Sequence, residues 1–413
     1  MSRLFYNLSL FLFSTGIRIA SLFNHKAKLS ARGRNKFPVI PLHDKVIWMH
    51  CASLGEFEQG RPVLEAMRKK YPSYKIVLSF FSPSGYEIRK NYAGADSVIY
   101  LPIDNIINAK RLISSINPSL VIWVKYEYWY YYLTELKKRA IPVILVSGIF
   151  RDSQPFFKWY GGIWKEMLGC FDQIFVQNES SKDLLQQIGI EKNVSVGGDT
   201  RFDRVITIAE KREPVQHIMG FVAGKQVLVA GSTWEDDEIE LIHYVKAHPE
   251  IKFIVAPHEI DEENIDDVKK EFPNAILYSQ VATGIVVPEN INVLIIDNIG
   301  MLSKLYQYAD ITYVGGGFGK DGIHNILEAA VYGKPVIFGP VYEKFAEAKE
   351  LVKAGGAFSI NNALELEALL DNLFKNRMEL KKTGDTAGAY VYSKQGATNK
   401  VMDYVMEKRL LTS

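Results

Sequence analysis

The sequence predicts an α/β fold in which two doubly wound domains face a cleft. Two features of its 413 residues support this prediction. Short, continuously apolar runs alternate with helix-like segments, which indicates strands buried on both faces of parallel sheets that are covered by helices. The chain is also too long for one ordinary core, and its length suggests two domains of roughly 200 residues each.

The predicted strands form two series, and the rhythm changes between them. Gly197 and Gly198, followed by a charged segment that ends at Pro214, indicate a domain boundary. We expect a surface helix and basic segment in residues 1–36, one domain in 37–210, a second in 211–390, and a C-terminal helix in 391–413 that crosses back to the first domain. The predicted strands are residues 45–51, 75–81, 97–101, 119–124, 142–148 and 173–177, then 226–232, 252–257, 292–297, 311–316 and 335–339.

Composition limits the classes of function. Lys and Arg together number 49 and Asp and Glu 47, so the net charge of +2 creates no overall field that favours nucleic acid. The two cysteines, Cys51 and Cys170, cannot form a disulfide framework, which fits a reducing compartment.

The N-terminal segment has an amphipathic pattern. Leu4 to Phe23 is apolar but is broken by polar residues that share one narrow helical face: Arg3, Asn7, Ser14, Arg18, Ser21 and His25. This pattern argues against a spanning helix and against a signal peptide. Five basic residues follow without an acid: Lys26, Lys28, Arg32, Arg34 and Lys36. We expect a helix on an anionic membrane surface, the alternative being a helix packed on its own domain.

Glu56 follows the first predicted strand, after a turn at Gly55. Ligands of open α/β sheets bind beyond the carboxyl ends of the strands, so its carboxylate is expected to point into the cleft. A Glu at a helix N-terminus is stabilised as the anion, which suits a general base. The alternative is a helix-start acid with no other role.

Glu127 follows the fourth predicted strand and lies among Tyr126, Tyr128 and Trp129. Aromatic rings can cover the apolar face of a sugar while the carboxylate binds hydroxyl groups. The alternative is an aromatic core edge with a paired Glu.

The segment "YVGGGFGKDGIHNILEAAVYGKPVIFGP", residues 313–340, predicts a ligand loop. We expect its glycines to admit a ligand to the backbone, and a helix that begins near Ile323 to bind an anion with His324 and Asn325 in its first turn. Glu328 is placed to accept hydrogen bonds from a ribose diol, which suggests a nucleotide-linked sugar. The alternative is a turn that only lets helix and sheet pack closely. Ser232 and Thr233 are further candidates to bind phosphate.

No motif in the sequence predicts a metal or cofactor. Histidine is sparse, and the sequence contains neither H-E-x-x-H nor C-x-x-C, nor a P-loop or a serine nucleophile elbow. The acids of "WEDDEIE", residues 234–240, fit a solvated helix start better than a magnesium site.

Six segments resemble, in order and spacing, the Kdo transferases, which move 3-deoxy-D-manno-oct-2-ulosonic acid from CMP-Kdo to the lipid A precursor. They are "SLGEFEQGRPVLEAMRKKYP", "YEYW", "GDTRFD", "GSTWEDDE", "GGGFGKDGIHNILEAA" and "PVIFGPVYEKFAEAKEL", and the resemblance extends to about residue 360. It implies a glycosyltransferase B fold with an N-terminal acceptor domain and a C-terminal nucleotide domain. It also implies monotopic attachment to the cytoplasmic face of the inner membrane.

The resemblance implies roles for matching residues. Glu56 matches the general base, while Glu127 and Arg201 match residues that support the transition state. The expected donor-binding residues are Ser232, Thr233, Pro257, His258, Ile299, Gly300, Met301, Gly316, Gly317, His324, Asn325, Ile326, Leu327 and Glu328. The family often has acidic-Thr-Glu-Leu-Trp-Pro where this chain has "KYEYWY". Pro257 and His258 stand where the family has an Arg-His pair, so Lys344 or Lys320 is a candidate for the missing contact.

The implied reaction is inverting and independent of metal and cofactor. Glu56 takes the proton of an acceptor hydroxyl, and Arg201 with the helix start at His324–Asn325 opposes the charge on departing CMP. The expected partners are CMP-Kdo, the lipid A precursor and an anionic membrane surface. The rival interpretations are another glycosyltransferase B enzyme, a UDP-sugar 2-epimerase, and a non-catalytic nucleotide-sugar-binding scaffold.

Overall fold

Parallel sheets form the centre of both halves of the chain in the computed structural model, which describes residues 2–35, 37, 45–272 and 274–412. Met1–Arg204 and Gly396–Ser413 form a first unit, and Val205–Gln395 form a second. Over the described residues, each unit has a seven-stranded sheet in which all neighbouring strands are parallel. The predicted class, α/β with two doubly wound domains, is confirmed.

The sheet of the first unit has the order β3-β2-β1-β4-β5-β6-β7. The strand order reverses between β1 and β4, which makes their carboxyl ends the expected place for a ligand. Its strands are β1 (Val46–Cys51), β2 (Lys75–Phe80), β3 (Ser97–Tyr100), β4 (Leu120–Val124), β5 (Val143–Gly148), β6 (Gln173–Val176) and β7 (Val194–Val196).

The sheet of the second unit has the order β10-β11-β9-β8-β12-β13-β14, and its strand order reverses between β8 and β12. Its strands are β8 (Val227–Thr233), β9 (Lys252–Pro257), β10 (Ala275–Leu277), β11 (Val293–Ile295), β12 (Ile311–Val314), β13 (Val336–Phe338) and β14 (Ala357–Ser359).

Helices connect the strands and cover the sheets, and both sheets are lined by fully buried aliphatic and aromatic side chains. The helices are α1 (Ser2–Ala20), α2 (His25–Asn35), α3 (Leu54–Lys70), α4 (Pro83–Arg89), α5 (Ile106–Ile116), α6 (Tyr130–Lys138), α7 (Gly162–Leu168), α8 (Glu179–Gln187), α9 (Thr200–Lys211), α10 (Ile218–Val222), α11 (Glu235–Ala247), α12 (Glu262–Glu271), α13 (Tyr278–Ala282), α14 (Leu302–Leu305), α15 (Leu327–Ala330), α16 (Ala346–Ala354), α17 (Ala363–Lys375), α18 (Arg377–Ser393) and α19 (Ala397–Glu407).

Three strands, β7, β10 and β14, were not predicted from the sequence. Each has three residues and lies at an edge of its sheet, where it pairs on one side only. A run of three residues is too short to show a period, and an edge strand is less buried than a central one, so its apolar signal is weak.

The boundary between the units falls earlier than the predicted break after residue 210. Helix α9 continues through the predicted break, and its first residues are bonded to the first unit. The carboxylate of Asp203 accepts hydrogen bonds from the amides of Gly396 and Thr398, both at 2.6 Å. The end of the chain also lies on the first unit, where the amide of Thr412 donates to the Tyr74 hydroxyl at 3.0 Å.

Helix α1 attaches to the first unit by its polar face. The Tyr6 hydroxyl donates to Oδ2 of Asp104 at 2.6 Å, and Arg3 pairs with Glu166 at 3.0 Å. The opposite face exposes apolar side chains, among them Leu4, Phe5, Phe11, Leu12 and Ile19. The helix therefore packs on its own domain, which was the alternative to a helix on a membrane surface. It also presents the exposed apolar face that a helix on a membrane surface requires. None of the described helices combines the length and apolarity needed to cross a membrane.

The sequence suggested that Arg34 lies at the surface with the other basic residues of its segment. In the structure it does not. Its Nε donates to the carbonyl of Leu101 at 3.1 Å, and its terminal nitrogens donate to Ser30 and to the carbonyl of Phe81. Lys36, the last residue of the predicted basic cluster, lies outside the described residues.

Candidate active site

Glu56 lies in the first turn of α3, directly after β1. The Ser53 hydroxyl, at the N-cap position, donates to Oε2 of Glu56. The carboxylate thus lies beside the first amides of the helix and accepts a hydrogen bond from this hydroxyl. The side chain is half-buried, so the carboxylate is partly accessible to a substrate. This geometry suits a base that takes a proton from a bound hydroxyl group.

Glu127 lies in the loop between β4 and α6, and its carboxylate is held by two ring nitrogens. Its Oε2 is 2.9 Å from Nε2 of His50 and accepts a hydrogen bond from Nε1 of Trp129 at 3.1 Å. The Nε1 of Trp123 donates to the Glu127 carbonyl oxygen at 2.5 Å. These contacts fix both the backbone and the carboxylate, so Glu127 is better suited to orient a substrate than to move during a proton transfer.

His50 is a residue of this site that the sequence interpretation missed. It is fully buried in β1, and Ser79 is its partner in the parallel register with β2. The Oγ of Ser79 lies 2.9 Å from Nδ1 of His50 and accepts from Nε1 of Trp48 at 2.8 Å. A histidine within an otherwise apolar buried strand must find polar partners, and that rule was the signal available in the sequence.

Arg201 is held in place by Asp199. The amide of Arg201 donates to Oδ1 of Asp199 at 2.9 Å, and its Nε donates to Oδ2 at 2.8 Å. Burial alone would raise the pKa of the Asp199 carboxyl, but the charge of Arg201 and its hydrogen bonds keep that pKa below its ordinary value. From α3, Nε2 of Gln59 also donates to Asp199, at 3.3 Å. The ion pair thus joins the Arg201 guanidinium to the helix that carries Glu56.

Tyr126 is within electrostatic reach of two of the three predicted catalytic residues and is the chain neighbour of the third, Glu127. Burial raises the pKa of the Tyr126 hydroxyl, a charge and hydrogen bond from Arg151 lower it, Glu56 raises it, and Arg201 lowers it. A pocket of about 540 Å³ opens beside Tyr126 and Glu127. Its lining includes Tyr126, Glu127, Trp129, Arg151, Gln154 and Trp164. In the first unit Glu56 and Glu127 therefore follow β1 and β4, the two strands between which the order reverses, while Arg201 follows β7.

In the second unit, the glycine-rich loop after β12 packs against the protein's own backbone. A Cβ atom on Gly315 would lie 2.3 Å from the carbonyl oxygen of Ser232, and one on Gly317 would lie 2.5 Å from the amide nitrogen of Gly339. Gly316 has a φ of +90° and its amide donates to Oδ2 of Asp237 at 2.8 Å. Close packing, the alternative considered for this loop, therefore accounts for these glycines.

The prediction that a helix begins near Ile323 is wrong. Helix α15 begins at Leu327 and has four residues, so His324 and Asn325 precede it rather than form its first turn. The side chain of Asn325 accepts from the Leu327 amide at 3.2 Å and donates to Oε1 of Glu328 at 3.0 Å. A single turn has a small dipole, and one of its amides is already used. The side chains of Asn325 and Glu328 are thus hydrogen-bonded to each other beside the glycine-rich loop. The side chains of Ile326 and Leu327 are buried in the core.

Three aromatic rings stack at the carboxyl ends of β8, β9 and β12. The ring centroids of Trp234 and His258 are 4.5 Å apart, and those of His258 and His324 are 4.4 Å apart. Nε1 of Trp234 donates to Nε2 of His324 at 3.0 Å, which requires an unprotonated Nε2. Burial, aided by His258, lowers the pKa of His324 to about 4. His258 and His324 were predicted separately, whereas Trp234, which joins them, was missed.

The remaining predicted donor residues differ in accessibility. Thr233 is buried and its hydroxyl donates to Glu238 at 2.7 Å, so it is not free to bind phosphate as expected. Ser232 adopts a φ of +53° beside the loop glycines. Pro257 ends β9 and is buried. The Ile299 side chain is exposed, Gly300 has a φ of +98°, and Met301 precedes α14.

Two further groups of residues that the sequence analysis singled out have defined contacts. The acids Asp237 and Glu238 are buried, not solvated, because Asp237 accepts from the Tyr313 hydroxyl and the Gly316 amide, while Glu238 accepts from Thr233. The Nζ of Lys344 donates to the Lys320 carbonyl oxygen at 3.1 Å, which joins the loop after β13 to the loop after β12. Among the described residues, no group of three His, Cys, Asp or Glu side chains is placed to hold a metal ion.

Comparisons with known proteins identify relatives of this chain. Residues 24–204 match the sequence model of the 3-deoxy-D-manno-octulosonic-acid transferase (kdotransferase) family. The 3-deoxy-D-manno-octulosonic acid transferase of Aquifex aeolicus is 28% identical over 84% of this chain and 91% of its own length. That of Haemophilus influenzae is 27% identical over 86% of each chain. A bifunctional glycosyltransferase/methyltransferase of Fusobacterium nucleatum is 28% identical over 80% of this chain, which spans only about half, 53%, of that longer protein.

Solved structures support the fold class. A UDP-GlcNAc 2-epimerase from Neisseria meningitidis, bound to UDP-GlcNAc, matches with a TM-score of 0.61 at 16% identity, over 88% of this chain and 100% of its own. MurG of Acinetobacter baumannii matches with a TM-score of 0.54 at 14% identity, over 88% of this chain and 100% of its own. At these identities the likeness shows the fold alone, and that fold is the glycosyltransferase B class.

Proposed function

We propose that the chain transfers Kdo from CMP-Kdo to a lipid A precursor in lipopolysaccharide synthesis, because it is similar to 3-deoxy-D-manno-octulosonic-acid (Kdo) transferases in the family match and in its full-length relatives. The proposal depends above all on one observation. Glu56, Glu127 and Arg201 follow the carboxyl ends of three different strands, β1, β4 and β7, and Tyr126 is within electrostatic reach of Glu56 and Arg201 and next to Glu127 in the chain. That region falls within the residues that match the family.

Glu56 is the base in this proposal. The acceptor hydroxyl is a poor nucleophile until its proton is removed, and a carboxylate at hydrogen-bond distance contributes roughly 10²–10⁴-fold to such a step. The Ser53 hydroxyl, at the start of α3, orients the Glu56 carboxylate before it takes the proton. The oxygen of the acceptor then attacks the anomeric carbon of Kdo from the side opposite the CMP phosphate, so the anomeric centre is inverted.

Glu127 and Arg201 support the charges that develop in this reaction. The anomeric carbon gains positive character as the bond to CMP breaks, and a fixed carboxylate stabilises that charge. Glu127 is fixed by His50 and Trp129. The guanidinium of Arg201, oriented by Asp199, opposes the negative charge gained by the departing phosphate. The helix start at His324–Asn325 has no part in this revised proposal.

We assign CMP to the carboxyl edge of the second sheet. Glu328 is half-buried and fixed by Asn325, which leaves a carboxylate able to accept hydrogen bonds from the ribose diol. The exposed edge of the Trp234–His258–His324 stack offers aromatic surface beside it. Gly300 and Met301 supply backbone groups from the loop before α14. The donor is thereby held without a metal ion in this proposal.

The acceptor is an anionic lipid, so we place the protein on the cytoplasmic face of the inner membrane. The apolar face of α1 is exposed, and Lys26, Lys28 and Arg32 of α2 are exposed as well. An apolar helix face beside basic residues binds anionic lipid surfaces, with about 1 kcal/mol from each basic residue near the surface.

A direct assay tests this function. The protein is incubated with a CMP-Kdo-generating system and a tetraacyl lipid A precursor, and the lipid product is weighed by mass spectrometry. We expect the mass of the precursor to increase by one or more Kdo residues. A parallel incubation with UDP-GlcNAc tests the epimerase alternative. Epimerised UDP-GlcNAc together with an unmodified lipid precursor would refute the proposal.

A further inference from the structure

A second cavity, separate from the catalytic residues, lies in the first unit between α1, α2 and the segment that joins β3 to α5. Its volume is about 380 Å³. One arginine comes from each helix, Arg18 from α1, Arg34 from α2 and Arg111 from α5, and no Asp or Glu is among the described residues that line it. Three cations around one concave space without an acid form a site for a multiply charged anion.

Arg34 gives this cavity a fixed positive charge. Its side chain donates hydrogen bonds to neutral acceptors, the carbonyls of Leu101, Ser30 and Phe81 and the hydroxyl of Ser30. Burial lowers the pKa of Arg34 to about 10, so the guanidinium remains protonated at neutral pH. Among the described residues no carboxylate lies within ion-pair distance of the half-buried Arg34, and the charge of Glu127 acts on it only from farther away. A buried cation without a paired anion favours an anionic ligand.

Arg111 and the start of α5 complete the site. The guanidinium of Arg111 lies over the ring of Phe37, 4.1 Å from its centroid. Stacking uses the flat face of a guanidinium and leaves its N–H groups free at the edge for a planar fork of hydrogen bonds. Asn105, also in the lining, caps α5 by accepting from the amides of Ile107 and Asn108, so the positive end of that eleven-residue helix faces the same region.

The position of the cavity indicates the source of the anion. Ser14, Ile17 and Arg18 of α1 form part of its wall, and the same helix exposes Leu12 and Ile19. If α1 lies on a bilayer, as the proposed function requires, the cavity opens at the level of the lipid phosphates. We propose that it binds a phosphomonoester group of an anionic lipid, an ion of about −1.5 to −2 charge at pH 7 that matches three arginines. This inference rests on the membrane placement in the proposed function.

Vesicle binding by full-length protein tests the inference without any transfer reaction. Three kinds of vesicle are compared: phosphatidylcholine alone, phosphatidylcholine with phosphatidic acid, and phosphatidylcholine with phosphatidylserine at matched surface charge. The test variant is Arg111→Gln, and the control is Arg32→Gln, which removes an exposed charge of α2 outside the cavity. We expect Arg32→Gln to weaken binding to both anionic lipids alike, by about the fivefold that one basic residue near the surface contributes. Arg111→Gln should weaken binding to phosphatidic acid roughly tenfold more than Arg32→Gln does. On phosphatidylserine the two variants should be equal.

Equal losses for the two variants on both anionic lipids would overturn the inference, because surface charge alone would then explain binding. If the wild-type protein binds no vesicle, the membrane placement fails, and a titration with inorganic phosphate decides about the cavity. Binding of phosphate that is lost in Arg111→Gln and kept in Arg32→Gln would support a phosphate site filled from solution. Absence of phosphate binding would refute the site.

Discussion

The Nε2 atom of His50 lies 2.9 Å from Oε2 of Glu127, and Nδ1 of the same ring lies 2.9 Å from Oγ of Ser79. Trp48 donates to that Oγ at 2.8 Å, and of the two acceptors for the serine proton Nδ1 is nearer than the Met49 carbonyl oxygen, which lies 3.5 Å away. His50 then carries its own proton on Nε2 and donates it to the carboxylate of Glu127. One chain of hydrogen bonds thus connects the buried sheet to a residue of the candidate site.

These linked hydrogen bonds predict that a substitution at Ser79 lowers the stability of the protein. Ser79→Ala leaves the indole N–H of Trp48 and a ring nitrogen of His50 without their partner inside the sheet. We expect the free energy of unfolding to fall by about 1–3 kcal/mol, measured by urea titration. The matched control is Ser73→Ala, an exposed residue two positions before β2, which should change little. Equal stabilities of the two variants would mean that the Ser79 hydroxyl contributes nothing to the network.

Gly316 predicts a second effect, on packing. Gly316→Ala places a Cβ atom 2.6 Å from the carbonyl oxygen of Gly322 at a φ of +90°, where L residues are strained. We expect a loss of roughly 1–3 kcal/mol in thermal or urea unfolding. Gly220→Ala is the control, because no atom lies within 4 Å of its added Cβ in α10, and its stability should be unchanged or slightly higher. A stable Gly316→Ala protein would show that the loop can move away.

Most of the fold could be predicted from the sequence, but few of the side-chain hydrogen bonds could. Central strands were visible because burial on both faces makes them continuously apolar, and Glu56 and Glu127 were found because they follow such strands. His50 escaped notice because its role depends on the register that aligns it with Ser79, and one strand cannot reveal that register. The prediction of a helix from Ile323 was wrong because the sequence pattern of this segment resembles a helix start. The pattern does not show that the Asn325 side chain is hydrogen-bonded to Glu328 and to the amide of Leu327.

His324 predicts a pH dependence of stability. Burial, with a contribution from neighbouring His258, lowers its pKa to about 4, whereas an unfolded histidine has a pKa near 6.5. Between these values the unfolded chain binds the extra proton and the folded chain does not, so His324 makes stability fall as pH falls from about 6.5 to 4. His324→Phe should show a smaller loss across that range than the wild-type protein.

Urea unfolding at several pH values between these limits measures this difference. The control is His217→Asn, an exposed histidine at a positive φ that asparagine tolerates, and it should retain the wild-type slope. Identical slopes for His324→Phe and the wild-type protein would remove His324 as a source of acid sensitivity.

Glu328 predicts the location of the nucleotide. Glu328→Ala removes the carboxylate assigned to the ribose diol, and CMP binding in calorimetry should weaken by roughly 1.5–3 kcal/mol. Glu263→Ala, an exposed first-turn acid of α12 in the same unit, should bind CMP like the wild-type protein. Thermal unfolding without ligand shows whether both variants keep their fold. Unchanged affinity in a folded Glu328→Ala protein would place CMP elsewhere.

The central claim is that Glu56 is the base and Glu127 a fixed support, and a comparison of Glu56→Gln with Glu127→Gln tests it most directly. Turnover of CMP-Kdo is measured across pH with a fixed lipid acceptor, beside the control Glu191→Gln, an exposed residue before β7 at the opposite edge of the sheet. We predict that Glu56→Gln keeps CMP-Kdo affinity and loses turnover by at least about 10²-fold, with little recovery as pH rises. Glu127→Gln should lose activity and keep the wild-type pH profile. Near-normal turnover in Glu56→Gln, with the acidic limb lost only in Glu127→Gln, would contradict the assignment and make Glu127 the base.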